Sequence, residues 1–246
     1  AEAPLREAVG IARRIYREPN ADVAPRVHNL GGVYLALGRL DEAEPLLREA
    51  MAIEHAIGRE RAPGIGFSLA KLSRIQELRG DLTGARTLAD EARAQLDRVL
   101  PPTHEQRLDA ELRVLRLQLV AGLDHDLREH AIDLQRRVDA QHEPYLSANA
   151  LYVRALAHAR QGEDAAAIAM IDQALRIGDR PRSFPHDLLA WYATLAQLHA
   201  RNGRPEAAAR TRREGLAFAD RMDIPANHPA RIALATASFV TMANAP

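Results

Sequence analysis

The apolar positions of the segment HNLGGVYLALGRLDEAEPLLREAMAI, residues 28 to 53, fall into two helical stripes separated by a turn. Leu30, Gly31 and Tyr34 share one face before Gly38, and Ala43, Leu47 and Ala50 share one face after it. Residues three and four apart lie together on a helix, so the pattern predicts a helix–turn–helix hairpin with a seam of small residues. The pattern recurs. Turn glycines stand at Gly38, Gly80, Gly122, Gly162 and Gly203, spaced 42, 42, 40 and 41 apart. Each follows a helical run and precedes an Ala-rich one, and glycine suits a helix C-terminus because the left-handed conformation costs it little. Short polar linkers punctuate the hairpins: PNAD at 19 to 22, PPTHE at 101 to 105, QHEP at 141 to 144, FPHD at 184 to 187 and NHP at 227 to 229.

The first residues repeat the same phase. AEAPLREAVGI at 1 to 11 aligns with AEPLLREAMAI at 43 to 53, with Leu5, Ala8 and Ile11 matching Leu47, Ala50 and Ile53. The sequence is therefore expected to open in the second helix of a repeat, as a fragment of a longer protein with Leu5 and Ile11 exposed. The alternative is a native capping helix. The expected division of the single solenoid is a half repeat at 1–17, then repeats at about 22–60, 64–100, 104–140, 144–179 and 185–222. A terminal helix at about 229–242 would be a cap or the first half of another repeat.

Residues Asn29, Leu30, Gly31, Tyr34, Gly38, Arg39, Glu42, Ala43, Leu47 and Ala50 resemble the tetratricopeptide repeat in its 42-residue, kinesin-light-chain-like form. The linker histidines His104, His142, His186 and His228 resemble that family's His-Pro linker, although only His228 keeps the proline. The likeness is strongest at 22 to 57 and weakest from 104 to 140, where Leu115 stands at the small-residue position of the tight helix contact. The resemblance implies an all-α, right-handed superhelical solenoid of stacked antiparallel hairpins. Such hairpins cannot bury their own apolar faces and so stack into a continuous core. It also implies that the first helix of each hairpin lines a concave groove that holds a peptide or partner segment.

Composition agrees with helix. Ala, Leu, Arg and Glu dominate, aromatics are 4%, and there are 32 Arg but one Lys, Lys71. These are strong helix formers, and the Arg bias suggests a GC-rich bacterial source. The formal net charge of zero argues against bulk electrostatic nucleic-acid binding. The lack of cysteine excludes disulfides, thiolate zinc and iron–sulfur sites. No apolar run is long enough for a transmembrane helix and no secretory signal is visible, so a cytoplasmic location is expected. A leader already removed would leave no trace in the sequence.

Two register positions of the first helices face the expected groove. Nine residues before each turn glycine stand Asn29, Lys71, Arg113, Val153 and Thr194; six before stand Gly32, Arg74, Arg116, Leu156 and Gln197. In the family, an Asn at the place of Asn29 often bonds a bound peptide's backbone. Lys71, Arg74, Arg113 and Arg116 would form a positive strip able to hold carboxylates, focused by a concave low-dielectric wall. The other reading is solvated charge paired with Glu77, Asp109 or Glu111. Val153, Leu156, Ala193, Thr194 and Gln197 would make a more neutral wall. Trp191, Tyr192, Tyr145 and Tyr152 would either pack between repeats or anchor a partner.

Catalytic and metal chemistry find little support. His125 and His130 in DHDLREH at 124 to 130 are five apart, so a helix turns them away from each other, and the spacing is not HExxH. The linker histidines are expected at helix starts on separate hairpins rather than in a cluster. GIG at 64 to 66 follows no strand and lacks the GK[ST] of a phosphate loop. No serine sits in a GxSxG elbow. The expected function is a non-enzymatic binding module for a peptide or protein, acidic if the strip is a site, with no cofactor and no nucleic acid. The alternative is the regulatory arm of a larger bacterial signalling enzyme, such as a kinase, signalling ATPase or caspase-like protease.

Overall fold

The computed structural model describes residues 2–16, 19–123, 127–178 and 185–236. Among them are twelve helices and no strand: α1 (Glu2–Ile15), α2 (Val23–Ala36), α3 (Leu40–Ala56), α4 (Pro63–Leu78), α5 (Leu82–Asp97), α6 (Glu105–Ala121), α7 (Leu127–Asp139), α8 (Pro144–Arg160), α9 (Asp164–Gly178), α10 (Pro185–Arg201), α11 (Pro205–Arg221) and α12 (Pro229–Thr236). All five turn glycines expected from the spacing have positive φ, between 68° and 85°. The chain forms two compact units, Ala1–Ala110 and Glu111–Pro246.

In the first unit, α2 packs on α3 and α4 on α5, while α3 also packs on α4 and α1 on α2. The seam is as tight as its small residues suggest. A Cβ on Gly31 would come within 3.1 Å of Leu47 and 3.3 Å of the Ala43 carbonyl oxygen. One repeat later the same position is Ser73, fully buried, whose hydroxyl donates to the Ala85 carbonyl at 2.7 Å. The hydroxyl is accommodated at this tight contact because its polar atom is satisfied. On α1, Val9 and Ala12 are buried and Leu5 packs partly against the core, whereas Ile11 and Ile15 are 41% and 66% exposed.

Successive hairpins are also joined at their ends. Arg39 reaches Glu2 at 2.9 Å, and Arg79 reaches Asp41 at 2.7 Å and Glu44 at 2.5 Å. Arg79 stands at the end of α4 and Arg39 at the start of α3, and each meets acids in the opening turns of the preceding second helix. Carboxylates are favoured there by the helix dipole. The hydrogen bond from Arg79, with help from Arg48, holds the Glu44 carboxyl below its ordinary range.

In the second unit, α8 packs on α9 and α10 on α11, with α7 on α8 and α9 on α10. Arg201 pairs with Asp164 in the same end-to-start arrangement seen in the first unit. Leu115 is fully buried on α6, so the seam position that is Gly31 and Ser73 earlier here takes a large side chain into the core. The last described helix, α12, packs against both α10 and α11, the place a first helix would take. The expected extension to residue 242 runs past 236, outside the described residues.

Candidate binding face

On the first unit, α2 and α4 lie directly against each other. Asn29 is exposed on α2. Gly32, one turn further on, leaves room for the Lys71 side chain: a Cβ there would meet Lys71 Cε at 3.3 Å and Nζ at 3.7 Å. The ammonium of Lys71 thus lies over α2, on the turn that follows Asn29. The aliphatic stem covers the gap while the charge stays at the surface.

Arg74 is placed differently. It is 7% exposed, and its Nη1 donates to Glu77 Oε2 at 2.9 Å within the same helix. What this turn of α4 offers a partner is an ion pair rather than a bare cation.

Beneath Asn29 opens a cavity of about 380 Å³, walled by α2, the end of α3 and the start of α4. His28 crosses the α2–α4 contact to Ser68, ring Nδ1 to hydroxyl 2.9 Å. Burial, reinforced by the Lys71 charge, pushes the His28 imidazole down to about 4. It is neutral at pH 7. The unfolded chain binds this proton first, near pH 6.5, so the stabilisation is complete above that value. It is lost as pH falls toward 4. Unfolding free energy should therefore drop by about 2 kcal/mol between pH 7.5 and 5 through His28 alone. Urea midpoints at the two pH values would check this, and His28→Gln should flatten the difference.

The cavity wall also includes Glu54, 5% exposed on α3, with Arg59 Nε 3.4 Å from its Oε2. The sequence reading missed Glu54 as a site residue. The signal was there: 43, 47, 50 and 54 continue one helical stripe, and Glu54 puts an acid on it.

On the second unit, Arg113 and Arg116 are partly buried on α6, and Glu111 is committed to Arg137, which donates to it at 2.6 and 3.0 Å. Val153, Leu156 and Ala193, expected on an open neutral wall, are instead core residues no more than 2% exposed. α8 and α10 are apolar on several sides, and each side meets a neighbouring helix. Thr194 is partly buried, its hydroxyl 2.9 Å from that of Tyr152 and donating to the Ala190 carbonyl; Gln197 is half-buried. Trp191 is a core residue, stacked on Tyr152 with ring centroids 5.4 Å apart. Tyr145 is buried and donates to Asp187 at 2.8 Å, and Tyr192 packs against Phe218.

The linker histidines divide. His104 and His228 stand at helix starts, each ring Nδ1 accepting the backbone N–H two residues on, at 3.2 Å. His142 sits one residue earlier than a cap, at φ 57°, and Glu143 caps α8 through the Leu146 N–H. His186 lies in the first turn of α10 and stacks on His228, ring centroids 5.5 Å apart. These two stand at the starts of separate helices, as expected, and still touch. Stacked repeats bring equivalent positions together, as they also do for Tyr152 and Thr194. Among the described residues no group of three or more His, Asp or Glu could hold a metal. Asp124, His125 and Asp126 fall outside the described residues. No described helix is long and apolar enough to cross a membrane.

Helix hairpins stacked at a 40–42-residue period, each with a glycine turn, define an α-helical repeat solenoid. Residues 22–107 match a family model described as tetratricopeptide repeat. Its fold is that of solved TPR-like helical solenoids. A Rap protein complexed with Competence and Sporulation Factor superposes with a TM-score of 0.64 at 13% identity, over 81% of this chain and 55% of that one. The present chain thus spans about half the length of that protein. BtubC (BKLC) from P. vanneervenii gives 0.60 at 15% identity, covering 90% of each chain. A thermophilic TPR protein of Thermus thermophilus, TTC0263, gives 0.57 at 22% identity, over 87% of this chain and 98% of that one. No curated protein matches the sequence.

Proposed function

We propose that the chain is a protein-interaction module that binds a peptide or protein segment in the groove lined by its first helices, without catalysis, cofactor or nucleic acid, in the cytoplasm. The observation that carries this reading is the α2–α4 face, where exposed Asn29 stands beside the Lys71 ammonium above an open cavity. An amide can hold a peptide backbone through both its donor and its acceptor. Lys71 favours an acidic residue beside it, and Arg113 and Arg116 on α6 favour acidic residues in the same way. Arg74 contributes through its pair with Glu77, and Gln197 offers a neutral amide further along the chain. The Rap protein complexed with Competence and Sporulation Factor lends support as a complex formed on this fold.

The test is an array of immobilised peptides of matched length carrying acidic, neutral or basic residues. The full chain should bind the acidic set, and binding should weaken as salt is raised. Equal binding to all three sets would remove the acidic preference.

A further inference from the structure

The cavity under Asn29 contains a feature that the basic face does not account for. Its wall carries a carboxylate, Glu54, that is nine-tenths buried, and Glu54 Oε2 accepts no hydrogen bond from the protein. Arg59 Nε stands 3.4 Å away, an ion contact too long for the 2.7–2.9 Å of a charge-assisted hydrogen bond. The Arg59 side chain is half exposed and itself lines the cavity, so a ligand would share the carboxylate with it. A buried carboxylate oxygen that has an ion contact but no hydrogen bond is costly, and a ligand that donates to the carboxylate relieves part of that cost.

The rest of the wall sets the shape of such a ligand. Pro25, Ala50, Pro63 and Phe67 are apolar, which suits a methylene stem. Gly64, in the first turn of α4, leaves space beside the carboxylate: a Cβ there would meet only Glu54 Oε1, at 3.6 Å. His28, neutral at pH 7, adds no opposing charge. The geometry points to a pocket for a basic side chain, lysine or arginine, of the bound segment: the stem lies along the apolar wall and the ammonium or guanidinium donates to Glu54. The source of that side chain rests on the peptide-binding reading; the pocket itself does not. Together with Lys71 outside, it selects a segment in which a basic residue stands beside acidic ones.

The pocket can be tested with fragments that need no peptide. The full chain would be titrated with n-butylammonium, n-propylguanidinium, n-butanol and butyrate while backbone amide resonances are followed by NMR. The two cations should give saturable shifts at Asn29, Gly64 and Ser68, and the alcohol and the carboxylate should not. Glu54→Gln should weaken cation binding at least tenfold. Gly64→Leu, which keeps the charge and fills the space, should do the same and serves if the first variant does not fold. Absence of saturable shifts at those amides in the wild type, equal response to butanol or butyrate, or unchanged binding in a folded Glu54→Gln or Gly64→Leu variant would overturn the pocket. Such a failure leaves the groove reading standing, because that reading is judged by charge reversal at Lys71 and Arg113. Failure of the reversal test with fragment binding intact would do the opposite.

Discussion

Replacing Trp191 with alanine is expected to lower the unfolding free energy by about 3–5 kcal/mol, the cost of removing a large aromatic side chain from a packed core. The indole is 2% exposed, stacks on Tyr152 and fills the space that Gly178 leaves open on α9. A Cβ on Gly178 would already stand 3.0 Å from Trp191 Cζ3. The truncation therefore removes both an aromatic stack and the filler of an inter-helix gap, and rigid neighbours close only part of such a cavity. Trp191→Phe should cost less than half as much. Urea denaturation of the three proteins would measure the series. A loss below about 1 kcal/mol for the alanine variant would mean that the side chain contributes little to packing.

Reversing Lys71 and Arg113 together to glutamate should weaken binding of acidic peptides at least tenfold, equivalent to about 1.4 kcal/mol or more. Reversal both removes attraction and adds repulsion, so the effect should be largest at low salt and shrink as salt is raised. Stability should change little. Both side chains are only partly buried, and surface charge contributes about 0–1 kcal/mol. Arg74 is left in place, because a glutamate there would face Glu77 inside the helix face. Binding unchanged by the reversal in a protein of unchanged melting temperature would show that these cations are solvated charge.

The hairpins were legible because their determinants are local and periodic. The stripe of Leu30, Gly31 and Tyr34, the positive-φ glycine at Gly38 and the answering stripe of Ala43, Leu47 and Ala50 each follow from spacing within one or two helical turns. What was not legible depends on neighbours a whole repeat away. Val153 and Leu156 occupy the register of groove residues, but packing of α8 against its neighbours buries them. His186 and His228 are 42 residues apart and meet only because repeats stack. The pairing of Arg74 with Glu77 was one of two readings the sequence left open, and side-chain geometry decides between them. Glu54 was visible as an acid on an apolar stripe, yet its meaning came from the cavity formed by α2, α3 and α4 together.

The most direct measurement is site-specific photo-crosslinking in lysate of the source organism. A p-benzoylphenylalanine would replace Asn29 on the α2 face, and in a second protein Arg93 on the exposed side of α5. The account predicts that Asn29 captures a defined segment of a partner, identified by mass spectrometry, and that Arg93 does not. It also predicts that the Lys71→Glu/Arg113→Glu background abolishes the adduct. Adducts that are equal at the two positions, or that persist in that background, would contradict it.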